Sequence, residues 1–136
     1  MRLLARREHG ATELRTKLEK KGFSKQEAKD ALETCQNLDV QNENRYIDNY
    51  SRSRIRQGYG PLKIAQELKI KGVDGDLVFH HLKQEQDNWL DHAMQVWLKK
   101  SKGRTDLSFE EMQKMQSFLL YRGFPLDIIV NVVREL

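Results

Sequence analysis

The strongest constraint in this sequence is that it repeats itself. Gly22, Gly72 and Gly123 stand 50 and 51 residues apart, and the residues around them keep a common register. Four positions before each glycine is Leu18, Leu68 or Leu119, and four further back is Leu14, Ile64 or Met115. Phe23, Val73 and Phe124 follow the glycines directly. Ala28, Val78 and Ile129 come five residues later, then Leu32, Leu82 and Val133. Apolar residues at this spacing line one face of a helix on each side of the glycine. A period near fifty residues points to an array of supersecondary units.

The glycine has a mechanical role. Just past a helix end it adopts the left-handed conformation that other residues resist, and the residue after it packs on a side chain inside the helix end. The expected pairs are Leu18 with Phe23, Leu68 with Val73, and Leu119 with Phe124. The same residues then staple the next helix at Ala28, Val78 and Ile129. Ser24 with Glu27 makes a capping box, Asp74 caps the second copy, and Pro125 opens the third.

A further helix precedes the later corners. Asp39 is expected to cap one carrying Tyr46, Ile47, Tyr50 and Ile55 that ends near Gly58, with Pro61 opening the next. Leu90, Ala93, Met94, Trp97 and Leu98 follow helical periodicity, and Tyr46 and Trp97 both lie 26 residues before their corner glycine. Ser108 and Glu111 form another capping box, with Leu107 and Met112 as its staple, after a polar, basic loop over residues 99–106. No segment alternates with period two, so no sheet is expected. Only residues 1–9 precede the first corner's helix, room for about two turns. The expectation is an all-α fold: three tandem three-helix modules over residues 1–37, 38–86 and 87–136, elongated, the first truncated at its amino end.

Composition narrows the function classes. With one cysteine, Cys35, no internal disulfide can form, and a reducing, cytoplasmic setting is expected. There is no apolar run near the ~20 residues that span a bilayer and no signal-peptide pattern at Met1. The formal net charge of +4 is a mild basic bias, compatible with nucleic acid without requiring it. His9, His80, His81 and His92 form no zinc-binding pattern. His81 with Glu85 lacks further ligands, and Cys35 falls on a core stripe. The glycines form no phosphate loop. Neither an enzyme nor a cofactor site is expected.

The segment from Arg45 to Lys71 carries the best functional signal. Arg52, Arg54, Arg56 and Lys63 lie between Ser51 and Lys63 with no acidic residue among them, Lys71 follows, and Tyr59 sits in a corner with no helical stripe to join. Basic side chains beside an exposed ring suit phosphates and bases, or equally an acidic protein groove. They are also what an ordinary solvated face looks like. Lys99, Lys100, Lys102 and Arg104 make a second basic cluster. Helix-turn-helix DNA readers have a similar corner, but the helix after it is acidic or neutral here. Glu27, Asp30 and Glu33 in one copy, and Asp74, Asp76, Glu85 and Asp87 in the next, would repel phosphates.

At these residues the chain resembles the RecX family. The run SRSRIRQGYGP from Ser51 to Pro61, followed by Ile64, Glu67, Leu68, Lys71, Gly72 and Val73, is similar to the family's central motif. Leu3, Leu4, Ala5, Arg6, Arg7 and Glu8, with Glu13, Leu14 and Leu18, are similar to its first module. FLLYRGF from Phe118 to Phe124 is similar to its last. The amino terminus is shorter than in some relatives, and the link between modules one and two is short. The resemblance implies a curved array that binds the RecA recombinase and its filament on DNA. It implies inhibition of the recombinase, ATPase and co-protease activities, a place in DNA repair, recombination and the SOS response, and contact with single-stranded DNA, with duplex DNA as a second candidate. No catalytic residue or cofactor is implied, and a monomer is expected. The other readings are a non-specific nucleic-acid binder and a helical adaptor, both unrelated to recombination.

Overall fold

The caps written into the sequence set where the helices begin. The computed structural model describes residues 7–136 and contains helices α1 (Ala11–Lys20), α2 (Lys25–Asn37), α3 (Glu43–Arg56), α4 (Pro61–Ile70), α5 (Gly75–Gln84), a 3-10 turn (Gln86–Asn88), α6 (Trp89–Ser101), α7 (Phe109–Tyr121) and α8 (Leu126–Glu135). Among the described residues there is no strand. Ser24 and Ser108 each accept the amide three residues on while Glu27 and Glu111 reach back, completing both capping boxes. Asp74 accepts from the amides of Asp76 and Leu77, and Pro61 occupies the first turn of α4. Of the short leading helix expected over residues 1–9, residues 1–6 lie outside the described residues, and Arg7 to Gly10 are not helical.

The three corners share one geometry. Gly22, Gly72 and Gly123 have φ of 101°, 80° and 97°. The amides of Phe23, Val73 and Phe124 donate back to the carbonyls of Leu18, Leu68 and Leu119 at 3.1–3.2 Å, which is the Schellman pattern. Val73 and Phe124 are buried by it, but Phe23 is 46% exposed, so the expected Leu18–Phe23 staple leaves that ring largely in solvent.

Two boundaries differ from expectation. Asp39 does not start α3. It takes a left-handed φ of 56° and closes α2, with the amide of Val40 donating to the carbonyl of Cys35, while Asn42 caps α3 through the amide of Arg45. An aspartate tolerates this conformation better than most residues because its short polar side chain bonds locally. The basic stretch over 99–106 is also not all loop. Lys99 and Lys100 extend α6 by another turn, where cations oppose the helix dipole favourably.

Packing couples the units unequally. Tyr46, Ile47, Ile64, Leu68, Val78, Trp89, Trp97, Leu119, Phe124 and Ile129 belong to one continuous core across α3–α8. Leu14, Leu18, Ala28, Leu32 and Cys35 form a second, smaller core between α1 and α2. The junctions repeat nevertheless. Thr12 and Leu62, each ten residues before a corner glycine, both reach the next corner. The Thr12 hydroxyl donates to the Gly72 carbonyl at 3.4 Å, and the Leu62 amide donates to the Gly123 carbonyl at 2.9 Å. Beside the second junction the Gly60 amide donates to the Arg122 carbonyl at 2.8 Å, and a side chain at Gly60 would come within 2.6 Å of the Gly123 backbone. That close approach is why the chain before Pro61 is glycine.

Candidate cationic groove

The start of α4 docks on the corner between α7 and α8, and this brings two basic clusters together that lie more than forty residues apart in sequence. Arg56 and Gln57 from the end of α3, Lys99 and Lys100 from the last turn of α6, Lys102 just beyond it, and Arg122 from the α7–α8 corner line one groove of about 600 Å³. Ile55, Val96 and Phe118 supply its apolar wall, His92 and Gln95 complete it, and among the described residues no carboxylate lines it. Among the described residues, no ion pair is formed by Arg56, Lys99, Lys100, Lys102 or Arg122. Their charges are not neutralised locally.

Rings and backbone position these cations. Lys100 Nζ stands 4.9 Å from the Phe118 ring centre. The Arg122 guanidinium lies 4.8 Å from both Phe118 and Tyr59 and donates to the Gln57 carbonyl at 2.9 Å. Lys102 takes a left-handed backbone, φ 55° and ψ 34°, which is uncommon for a side-chain-bearing residue.

The other residues expected at the site have different fates. Arg54 forms two hydrogen bonds with Glu67, at 2.9 and 2.7 Å, and also covers Tyr59 at 3.9 Å. Glu67 additionally accepts from Tyr50 at 3.0 Å, and burial, helped by that bond, pushes the Tyr50 phenol up to about 12. Arg54 is therefore a brace between α3 and α4. Tyr59, expected as an exposed ring, is half-buried against the core beneath two guanidiniums. Arg52 is exposed but pairs with Asp48 at 3.1 Å. Asp48 and Glu67 lie outside the acid-free window, one helical turn or one helix away. Lys63 packs its stem against Gly123 and Lys71 stands 5.6 Å from the Tyr50 ring, and neither lines the groove. Arg104 pairs with Asp106 and Glu111, so it too is withdrawn.

Arg122 was missed in the sequence, although a signal existed. It occupies the position directly before a corner glycine, the one Lys21 and Lys71 hold in the other copies. Among the described residues no group of histidine, cysteine and carboxylate side chains could hold a metal ion, and no helix is long and apolar enough to cross a membrane.

Three-helix units strung in tandem, joined corner to corner, define this as a tandem helical-repeat protein. Family models for the first, second and third three-helix domains of RecX match residues 1–35, 42–79 and 86–133. The chain belongs to the RecX family of regulatory proteins. It is 53% identical to the regulatory protein RecX of Legionella pneumophila over 99% of this chain and 90% of that protein. It is 37% identical to that of Pseudomonas syringae pv. tomato over 95% and 83%. The crystal structure of RecX from Lactobacillus salivarius superposes with a TM-score of 0.86 at 22% identity, covering 98% of this chain and 89% of that one, a likeness of fold.

Proposed function

We propose that this chain is a non-catalytic cytoplasmic regulator that binds the RecA recombinase and its filament on DNA, inhibiting recombinase, ATPase and co-protease activities. In this reading the groove lined by Arg56, Lys99, Lys100, Lys102 and Arg122 meets the nucleic-acid phosphates. Family membership supports the first part. The observation that carries the second is the convergence of five cations on a groove lined, among the described residues, by no carboxylate. Such a lining concentrates positive potential, which attracts a polyanion and releases its counterions on contact. A filament is a repeating target, so linked units gain by effective concentration what each contact lacks in strength.

The experiment is RecA-dependent ATP hydrolysis on single-stranded DNA, titrated with the protein. Suppression at sub-stoichiometric ratios is expected, and no effect at molar excess would refute the regulator. For the groove, Arg56→Ala with Lys99→Ala and Lys100→Ala should leave helicity intact. It should also flatten the salt dependence of DNA affinity by about one unit of slope per cation removed. Arg52→Ala, already neutralised by Asp48, should change the slope least. An unchanged slope in the triple variant would move the nucleic-acid contact elsewhere.

A further inference from the structure

The middle and last units each carry a surface groove between their second and third helices, and the two grooves differ in chemistry. In the middle unit the groove has a volume of about 780 Å³ and runs between α4 and α5, closed at one end by Gln86 and Trp89. Its base is Val73, Val78, Leu82 and Trp89, all buried. Its rim carries Leu62 and Phe79, 56% and 68% exposed. Among the described residues, the only charged ones lining it are Lys69 and Lys83. The same groove recurs in the last unit at about 390 Å³, where Gln113 and Gln116 stand in the places of Leu62 and Ala65, 51 residues on, and the exposed Leu120 replaces the rim cation Lys69. In the first unit the places of Leu62 and Phe79, fifty residues back, hold Thr12 and Lys29.

That comparison separates folding from function. At the place of Leu62 the other units carry Thr12 and Gln113, and at the place of Phe79 they carry Lys29 and Val130, so packing this helix pair requires neither a leucine at the first position nor an aromatic ring at the second. Large apolar side chains held in solvent without a packing role mark a contact surface. The one polar group in the base, the Trp89 indole, already donates to the Leu82 carbonyl at 3.2 Å. No converging polar groups remain to orient a small ligand, as such sites normally provide. A groove between helices, apolar below and cationic at its edge, instead suits an amphipathic protein segment.

We infer that the α4–α5 groove of the middle unit docks a segment of the partner protein whose large apolar side chains are flanked by Asp or Glu. Lys69 and Lys83 meet those carboxylates, while Leu62 and Phe79 enclose the apolar side chains. The inference rests on the reading that the RecA filament is the partner, and it places the protein contact apart from the cationic groove. The two linings share no residue.

The test replaces the groove's exposed residues with those the other units carry: Leu62→Gln, from the last, with Phe79→Lys, from the first. Wild type and variant are compared by circular dichroism, affinity for single-stranded DNA alone, suppression of RecA's ATP hydrolysis, and sedimentation of the protein alone. The variant should fold and bind DNA as wild type does, yet need about tenfold more protein for equal suppression, as losing an anchor in a docking pocket would give. A second variant, Lys69→Glu with Lys83→Glu, should shift suppression in the same direction, and it covers the case in which the first does not fold. Undiminished suppression by both overturns the inference. Phe109, 76% exposed beside Glu110, has the matching chemistry within this chain. Self-association of wild type that Leu62→Gln with Phe79→Lys abolishes while suppression survives would therefore assign the groove to a second copy and overturn the partner. Wild type that neither binds nor inhibits RecA sinks the proposed function itself, and that result is read before any variant is made.

Discussion

The first unit and the last two use the same corner but are held in different ways. From α3 to α8 one apolar core runs through both units, and the α4–α7 junction is made by backbone against backbone. The α1–α2 pair keeps a core of its own and meets the rest mainly through polar groups, beside one apolar contact where Gly10 backs onto the Tyr46 ring. The amide of Ala11 donates to Glu43 at 2.9 Å, Gln41 donates to the His9 carbonyl at 3.1 Å, and Arg45 pairs with Glu8. Identical local grammar thus yields two levels of coupling. A shared core resists opening in proportion to the apolar surface it hides, whereas a polar junction exchanges hydrogen bonds with water at little net gain.

The largest expected effect compares the corners themselves. Gly123 and Gly22 both have left-handed φ, but a Cβ on Gly123 would lie 2.4 Å from Lys63 Cβ and 2.5 Å from its amide nitrogen, while one on Gly22 meets nothing within 4 Å. Backbone strain alone costs about 1–2 kcal/mol, and forced displacement of packed backbone adds about 1–3 kcal/mol. Gly22→Ala should therefore lower the melting temperature by several degrees, and Gly123→Ala by roughly twice as much or more. Equal losses in thermal denaturation would mean that the first corner is as tightly docked as the last.

Much of this architecture was legible because it is local. The repeat spacing, the left-handed glycines, the Ser24 and Ser108 boxes and the Asp74 cap all depend on residues within a turn or two of one another. The exceptions are also local but ambiguous: Asp39 can begin a helix or end one, and Asn42 had the better position. The candidate groove was legible only as fragments. Arg54 and Arg56 look alike in sequence, and only the helix positions of Glu67 and Asp48 separate the braced arginine and the neutralised Arg52 from the unpaired Arg56. That Arg56 meets Lys100 and Arg122 depends on Gly60 seating against Gly123, a contact no periodicity reports. Tyr59 joins no stripe in the sequence, yet its ring is half-buried, set against the core beneath the Arg54 and Arg122 guanidiniums.

A smaller effect probes the polar junction directly. Gln41 is 2% exposed, donates to the His9 carbonyl and accepts from Gln36 at 2.9 Å. Gln41→Ala strands a buried carbonyl, at a cost of about 1–3 kcal/mol. If the first unit is only loosely coupled, the loss stays local. Native-state hydrogen exchange should accelerate in α1 and α2 while the amides of α6–α8 keep their protection. Uniform acceleration across all helices would show the three units opening as one, and the contrast between the two cores would lose its energetic meaning.

The smallest effect is a pH dependence confined to the same unit. His9 is 2% exposed, its Nδ1 is 3.1 Å from the Arg7 carbonyl and its Nε2 is 3.1 Å from Lys17 Nζ. The neutral ring satisfies both, donating at Nδ1 and accepting at Nε2. A protonated ring would set a second positive charge against the Lys17 ammonium. Burial is the main influence lowering the His9 pKa below its ordinary 6.5, partly offset by the Arg7 carbonyl bond and the Glu13 carboxylate and reinforced by the charges of Arg7 and Lys17. Because the unfolded chain then binds the proton more readily than the folded one, the sign follows from linkage. Stability of the first unit is complete above about pH 6.5, declines as pH falls from there toward the lower folded value, and levels off beneath it. Hydrogen exchange in α1 and α2 should accordingly show less protection, after correction for intrinsic rates, at about pH 5.5 than at about pH 7.5, with α6–α8 unaffected. His9→Gln removes the titrating group, and the difference between α1–α2 and α6–α8 should then no longer change with pH. A pH response that survives in His9→Gln would place its origin in another group, and an equal response in α6–α8 would show the first unit melting together with its neighbours.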